Sequence, residues 1–281
     1  MIKAAVIDLD GTLFLNHGNT IFDLSKESEA AIQLLKDQGV KIYIASGRAP
    51  EYSKRLYQKY KLGEPTFCGF NGSIIYQNNL LKEAFLLEKA DVKDIYQALK
   101  DCPYAYRTSF VQTENGNRAM EVIGDKSYDI YKHIAEKEAM NLKVMDIPYY
   151  EYIDTSDEKS AKFSIIAENN EDANKIYQYL KEKFSDRFTI STSTVIYIEV
   201  TNNDSNKGRF IDFLMKEYGY QADEIAVMGD SYNDYSMLKK VKYNYVMNHG
   251  EKDLINSCYL GVENVLEASM DIVRINDEIK K

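Results

Sequence analysis

The stretch Met1-Ile2-Lys3-Ala4-Ala5-Val6-Ile7-Asp8-Leu9-Asp10-Gly11-Thr12 sets the reading of the whole chain. A short apolar run ends in two carboxylates and a glycine. Runs of this length, rich in Val and Ile, read as a strand buried on both faces. Residues two apart on a strand point the same way. Asp8 and Asp10 are therefore expected side by side where the strand ends and Gly11 turns the chain. Two ionised carboxylates that close repel, and the usual compensation is a proton on one of them or a bound cation. Asp and Gly are also ordinary turn formers, so the rest of the chain has to separate the two readings.

Outward from this stretch the same pattern recurs. Ser25 is an N-cap for a helix through Ala31, Leu34 and Leu35, and Gly39 stands at its far end. Residues 40–45 read as a second strand, ending in Ser46-Gly47-Arg48. Pro50 opens a helix to about residue 60. Residues 65–70 form a third short strand, ending in Asn71-Gly72, itself a hairpin signal. Strand and helix in even alternation predict a parallel sheet flanked by helices, whose chemistry collects beyond the carboxyl ends of the strands.

From about residue 81 the rhythm changes. Helices are expected over 92–101, 126–139 and 171–184, with strands over 119–123, 162–167, 187–190 and 195–200. Antiparallel pairing suits that mix. The parallel pattern resumes with a helix opened by Asn206-Lys207-Gly208. A strand over 225–228 then ends in Gly229-Asp230-Ser231-Tyr232-Asn233-Asp234, and strands follow at 243–247 and 258–262. The expected fold is α/β: a Rossmann-like, doubly wound parallel core over 1–80 and 201–281, interrupted by an α+β domain over 81–200.

Composition narrows the function. The 281 residues are 44% hydrophobic, enough for two packed domains. No apolar run approaches the roughly 20 residues that span a bilayer, and no basic-then-apolar leader precedes the first strand, so a cytoplasmic protein is expected. Cys68, Cys102 and Cys258 make no CxxC pair and indicate neither a disulfide framework nor zinc. A net charge of −9 without a long basic run argues against nucleic acid as partner. GxxxxGK[ST] and GxGxxG are both absent. His17, His133 and His249 share no ligand spacing and are read as incidental, and Tyr149, Tyr150 and Tyr152 as packing residues. The expected partner is a small molecule, with the chain a monomer or weak homo-oligomer.

Each polar cluster has an ordinary explanation by itself, as turn, cap or surface charge. Together they place a paired Asp, a Ser, an Asn-Gly and an acid pair at four strand ends, with Lys207 opening a helix. That is equipment for handling a phosphate with a divalent cation. Asp8 and Asp230 offer hard oxygen ligands to Mg²⁺, while Ser46, Lys207 and backbone N–H groups suit phosphoryl oxygens.

These residues resemble the haloacid dehalogenase-like superfamily of phosphotransferases. Its DxDG[TS] motif stands here as Asp8-Leu9-Asp10-Gly11-Thr12, its strand-ending Ser or Thr as Ser46, its Lys as Lys207, and its GDxxND as Gly229 to Asp234. The following Ser236-Met237-Leu238, Phe70-Asn71-Gly72 and the position of the insert resemble the Cof-type subfamily, which carries a large α/β cap that sets the substrate. The resemblance implies a phosphoric monoester hydrolase acting on small phosphorylated metabolites. Asp8 would be the nucleophile and form an aspartyl phosphate. Asp10 would be the acid and base, carrying a proton near neutral pH through the closeness of Asp8 and a dry site. Mg²⁺ would be bound by Asp8, the Asp10 carbonyl and Asp230, with Asp234 behind them. Gly11, Thr12, Ser46, Gly47, Arg48, Asn71, Lys207 and Asn233 would face phosphate or substrate. A phosphomutase on the same scaffold and a non-catalytic phosphate sensor are the alternatives. The chain departs from the family at Val246-Met247-Asn248-His249-Gly250, where Met-Gly-Asn-Ala is common, and at Glu263 to Ser269, where a Gly-containing loop is usual.

Overall fold

Strand β1 (Ala4–Ile7) is an inner strand of an eight-stranded sheet and is buried along its whole length. The computed structural model describes residues 1–15, 23–115, 118–122, 144–145, 155 and 159–280. The helix expected over 126–139, together with His17, His133, Tyr149, Tyr150 and Tyr152, lies outside the described residues. On one side β1 pairs in parallel with β2 (Lys41–Ala45), which pairs with β3 (Thr66–Gly69). On the other it pairs in parallel with β12 (Ile225–Gly229), followed by β13 (Tyr243–Met247) and β14 (Leu260–Val262). The strand order thus reverses at β1, the kind of place where open α/β sheets form a crevice.

Local sequence explains most of the helices. Ser25 caps Lys26–Asp37 by accepting the Ser28 N–H, and Pro50 is the first residue of Pro50–Tyr60. Gly208–Tyr218 stops at Gly219 in the left-handed region. Several elements were not foreseen. The edge strands β4 (Ile74–Gln77) and β5 (Leu80–Ala84) extend the sheet beyond β3, with β4 antiparallel. Helices Lys252–Ser257 and Val265–Ile279 close the chain. The last is capped by Asn264 and tied down by Asn276, whose side chain exchanges two hydrogen bonds with the Ile2 backbone.

Contacts divide the chain into two units, Met1–Lys82 with Asn206–Lys281, and Glu83–Ser205. The second unit contains a six-stranded sheet in the order β10-β11-β9-β6-β7-β8. Its strands are β6 (Tyr106–Thr113), β7 (Arg118–Val122), β8 (Val144–Met145), β9 (Ser160–Ala167), β10 (Phe188–Thr194) and β11 (Tyr197–Asn202). Only β7 and β8 pair in parallel among the pairs described. Helices Lys89–Lys100 and Asn170–Phe184 bury Val92, Ile95, Ile176 and Leu180 against Val111, Phe163, Ile165 and Val200 of the sheet. β6, Tyr-Arg-Thr-Ser-Phe-Val-Gln-Thr, escapes a hydrophobic-pattern reading because its buried positions include Thr108, Ser109, Gln112 and Thr113. No helix of the described residues is long and apolar enough to cross a membrane.

Candidate active site

The carboxyl ends of β1 and β12 bring three carboxylates together. Oxygens of Asp8, Asp230 and Asp234 all lie within 4.8 Å of one another. Lys207, fully buried at the start of Gly208–Tyr218, reaches between them. Its Nζ donates to Asp8 Oδ1 at 2.5 Å and to Asp234 Oδ1 at 2.6 Å. Burial by itself would lower the lysine's pKa, but Asp234 and Asp8 outweigh it and hold the ammonium charged. For Asp8 the balance goes the other way: burial, resisted by Lys207, pushes its carboxyl well above the ordinary range. Asp230 is pushed up to about 6, by burial first and by Asp234 second. One ammonium for three carboxylates leaves the cluster short of positive charge. A hard divalent cation with oxygen ligands fits that deficit.

The three acids are not equivalent. Both oxygens of Asp234 are engaged, Oδ1 by Lys207 and Oδ2 by the N–H groups of Asp230 and Ser231. Asp234 thus braces the loop that presents Asp230. Thr12 is buried with its hydroxyl 3.5 Å from Asp230 Oδ1. Gly11 has φ of +81°, and a Cβ there would overlap the Asp230 carboxylate. Only glycine lets the two loops meet this closely.

Asp10 departs from the sequence expectation. It does not share a dry pocket with Asp8. Its side chain is 52% exposed and held by Arg48, with Nη2 2.5 Å from Oδ1 and Nε 2.8 Å from Oδ2. The reason is that β1 ends at Ile7, so the alternation that would align residues 8 and 10 has already lapsed. The charge that compensates each carboxylate comes from the protein, Lys207 for Asp8 and Arg48 for Asp10. The Arg48 guanidinium is itself seated 4.7 Å from the Tyr52 ring centroid and 5.5 Å from that of Phe14.

The remaining predicted residues meet around the ends of β2 and β3. Ser46 is fully buried and its Oγ accepts the Arg48 N–H at 3.0 Å. The Asn71 N–H bonds the Ser46 carbonyl, Gly47 lies against the Asn71 side chain, and Asn233 Nδ2 donates to Asn71 Oδ1 at 3.1 Å. Asn71-Gly72 turns the β3–β4 hairpin, as its sequence signals, and joins this cluster as well. Phe70, Asn71 and Gly72 all have positive φ, at 50°, 57° and 93°. A buried Phe in the left-handed region is backbone strain stored beside the cluster. The structure thus brings Asp8, Asp230, Asp234 and Lys207 into one group. Ser46, Gly47, Asn71 and Asn233 form a second, and Asp10 and Arg48 a pair.

One histidine that reads as incidental in the sequence, His249, also reaches this site. His249 Nε2 lies 2.8 Å from the Gly11 carbonyl. Its signal was position, since it follows the carboxyl end of β13, the strand beside β12.

Comparison with known proteins identifies the family to which the chain belongs. The profile of a family described as haloacid dehalogenase-like hydrolase matches residues 5–266. MG125 of Mycoplasma genitalium, provisionally assigned as a phosphatase, is 27% identical over 271 residues, covering 90% of this chain and 88% of its own. Phosphatase YwpJ of Bacillus subtilis is 24% identical over 272 residues, covering 90% and 92%. 5-Amino-6-(5-phospho-D-ribitylamino)uracil phosphatase YcsE of the same organism is 27% identical over 252 residues, covering 89% and 85%. The crystal structure of a haloacid dehalogenase-like hydrolase from Bacteroides thetaiotaomicron superposes with a TM-score of 0.78 at 18% identity, covering 97% of this chain and all of the other.

Proposed function

The chain belongs to the haloacid dehalogenase-like hydrolases, and on that premise we propose that it is a Mg²⁺-dependent phosphatase that hydrolyses small phosphorylated metabolites through an aspartyl-phosphate intermediate. The observation that carries this reading is Asp8. It sits at the end of an inner strand, buried, with one oxygen on Lys207 and two further carboxylates in reach. Such a group is costly to keep and is suited to attack on a phosphate that brings its own counter-charge.

Asp8 attacks phosphorus, and the ester oxygen leaves with a proton from Asp10, which Asp10 takes up from solvent once Arg48 has turned from it to the substrate. Asp10 then takes a proton from water as that water attacks the phosphorus of the aspartyl phosphate, which releases inorganic phosphate and restores Asp8. To reach the leaving oxygen, Asp10 exchanges its Arg48 partner for the substrate, and Arg48 turns to the substrate's own oxygens. Lys207, the Ser46 hydroxyl and the N–H groups at the strand ends hold the phosphoryl oxygens, with Asn71, Gly47 and Asn233 shaping the side where the substrate enters. Mg²⁺ held by Asp8, the Asp10 carbonyl and Asp230, with Asp234 behind, would neutralise the phosphate's charge. Of the relatives, YcsE is named for a phosphoribitylamino-uracil and another, from Staphylothermus marinus, for phosphoglycolate; both are small phosphate monoesters, which supports the substrate class. The inserted unit, Glu83–Ser205, is the part we assign to substrate selection.

The test is phosphate release from p-nitrophenyl phosphate and a panel of phosphorylated metabolites, with and without Mg²⁺. Asp8→Asn is expected to lower turnover by at least about a thousandfold with an unchanged circular dichroism spectrum. Comparable turnover in wild type and variant would sink the mechanism. Isomerised sugar phosphate without net phosphate release would indicate a mutase, and saturable binding without turnover a sensor.

A further inference from the structure

We infer that His249 is a positioning residue that clasps the two metal-bearing loops together, an inference that rests on the reading of the acid cluster as a cation site. Three loops meet at the carboxyl ends of β1, β12 and β13, and contacts link them in a ring. Gly11 of the first loop abuts the Asp230 carboxylate so closely that no side chain fits between. The Asp230 carbonyl of the second loop accepts the Glu251 N–H of the third at 2.9 Å. The third loop is folded back on itself by the Gly250 N–H to the Met247 carbonyl at 2.8 Å, and a Cβ on Gly250 would overlap the Asp230 carbonyl. His249, at the tip of that loop, closes the ring with Nε2 on the Gly11 carbonyl at 2.8 Å. A carbonyl only accepts, so Nε2 carries the hydrogen.

The ring has a specific consequence. Asp234 and Glu251 hold the backbone of Asp230 from both sides, through its N–H and its carbonyl. β1 ends at Ile7, Asp10 bridges to Phe14, and Gly11 and Thr12 between them turn the chain, with Gly11 in the left-handed region. The Asp10 carbonyl, which the cation reading uses as a ligand, lies one peptide from the carbonyl that His249 holds. Anchoring Gly11 therefore fixes the direction of that ligand relative to Asp230. His249 is solvent-exposed, so its removal leaves no cavity and the fold is expected to survive.

The experiment is Mg²⁺ binding measured by calorimetry without substrate, on wild type, His249→Ala and His249→Gln, alongside the Mg²⁺ dependence of p-nitrophenyl phosphate hydrolysis. Loss of one net hydrogen bond predicts Mg²⁺ affinity weaker by about threefold to tenfold in His249→Ala. The Mg²⁺ activation constant should move by the same factor and maximal turnover by less. His249→Gln, which places an N–H donor at similar reach, should recover most of the affinity. Equal Mg²⁺ affinity in wild type and His249→Ala overturns the inference while leaving the phosphatase reading standing. So does a loss that His249→Gln does not rescue. Weakened and rescued Mg²⁺ binding in a protein that releases no phosphate supports the clasp and overturns the phosphatase reading. A wild type that binds no Mg²⁺ overturns both.

Discussion

At the residue scale, Lys207 shows how much one buried cation decides. It has no exposed surface and two carboxylate partners. Truncating such a partner leaves buried charge uncompensated, which typically costs about 3–5 kcal/mol. Lys207→Met is expected to destabilise the protein by that order, read as a lower urea midpoint at unchanged slope, and to lower phosphatase turnover as well. A variant as stable as wild type would show that the contacts of Lys207 with Asp8 and Asp234 do not contribute to stability. The sequence places Lys207 at a helix start, an end where the helix dipole disfavours a cation. It did not show that the side chain was buried, because burial depends on the Asp8 and Asp234 loops folding over it.

At the element scale, two positions separate stability from chemistry. Asn264 accepts the Leu266 and Glu267 N–H groups and caps the terminal helix Val265–Ile279, which packs on Lys26–Asp37. Asn264→Ala should cost about 1 kcal/mol, visible as a lower melting temperature with phosphatase constants unchanged. Gly11→Ala should do the reverse in proportion. Its positive φ costs about 1–3 kcal/mol, and the added methyl meets the Asp230 carboxylate. Mg²⁺ affinity and turnover should therefore fall by more than thermal stability explains, which parallel melting and Mg²⁺ titration will show. The strands that end in polar clusters were readable because β1, β2, β3 and β12 are buried apolar runs bounded by turn residues. β6 and the terminal helix were not, since the first carries polar residues inward and the second depends on Asn276 docking to Ile2.

At the scale of the molecule, protonated groups buried across the core of the first unit set an alkaline limit. Burial pushes the Cys68 thiol up to about 12 and raises the phenols of Tyr43, Tyr57 and Tyr245 further, with Tyr220 adding to Tyr43 and Asp271 to Tyr245. Each ionises more easily in the unfolded chain, near the model-compound values of 9.0 for Cys and 10.0 for Tyr. Above those values the unfolded state binds fewer protons than the native one, so stability falls as pH rises. From these groups melting temperature should decline above pH 9 and drop steeply beyond pH 10. Tyrosine absorbance at 295 nm should rise for these residues only as the protein unfolds. A melting temperature flat to pH 11 would contradict this. For the same reason Cys68 should resist a thiol reagent at pH 8 in the native state and react on unfolding.

The sequence by itself determined the parallel core, the four strand-end clusters and the family, because buried apolar runs and turn residues are local patterns with few alternatives. Tertiary structure alone decided the partners within those clusters. Asp8 and Asp10, two positions apart and alike in sequence, part company at the end of β1. One becomes a buried acid on Lys207, some 199 residues away in sequence, and the other an exposed acid on Arg48. His249 became legible only through its contact with Gly11, 238 residues away. Contacts across such separations follow from strand order, and strand order is settled by the packing of the whole sheet.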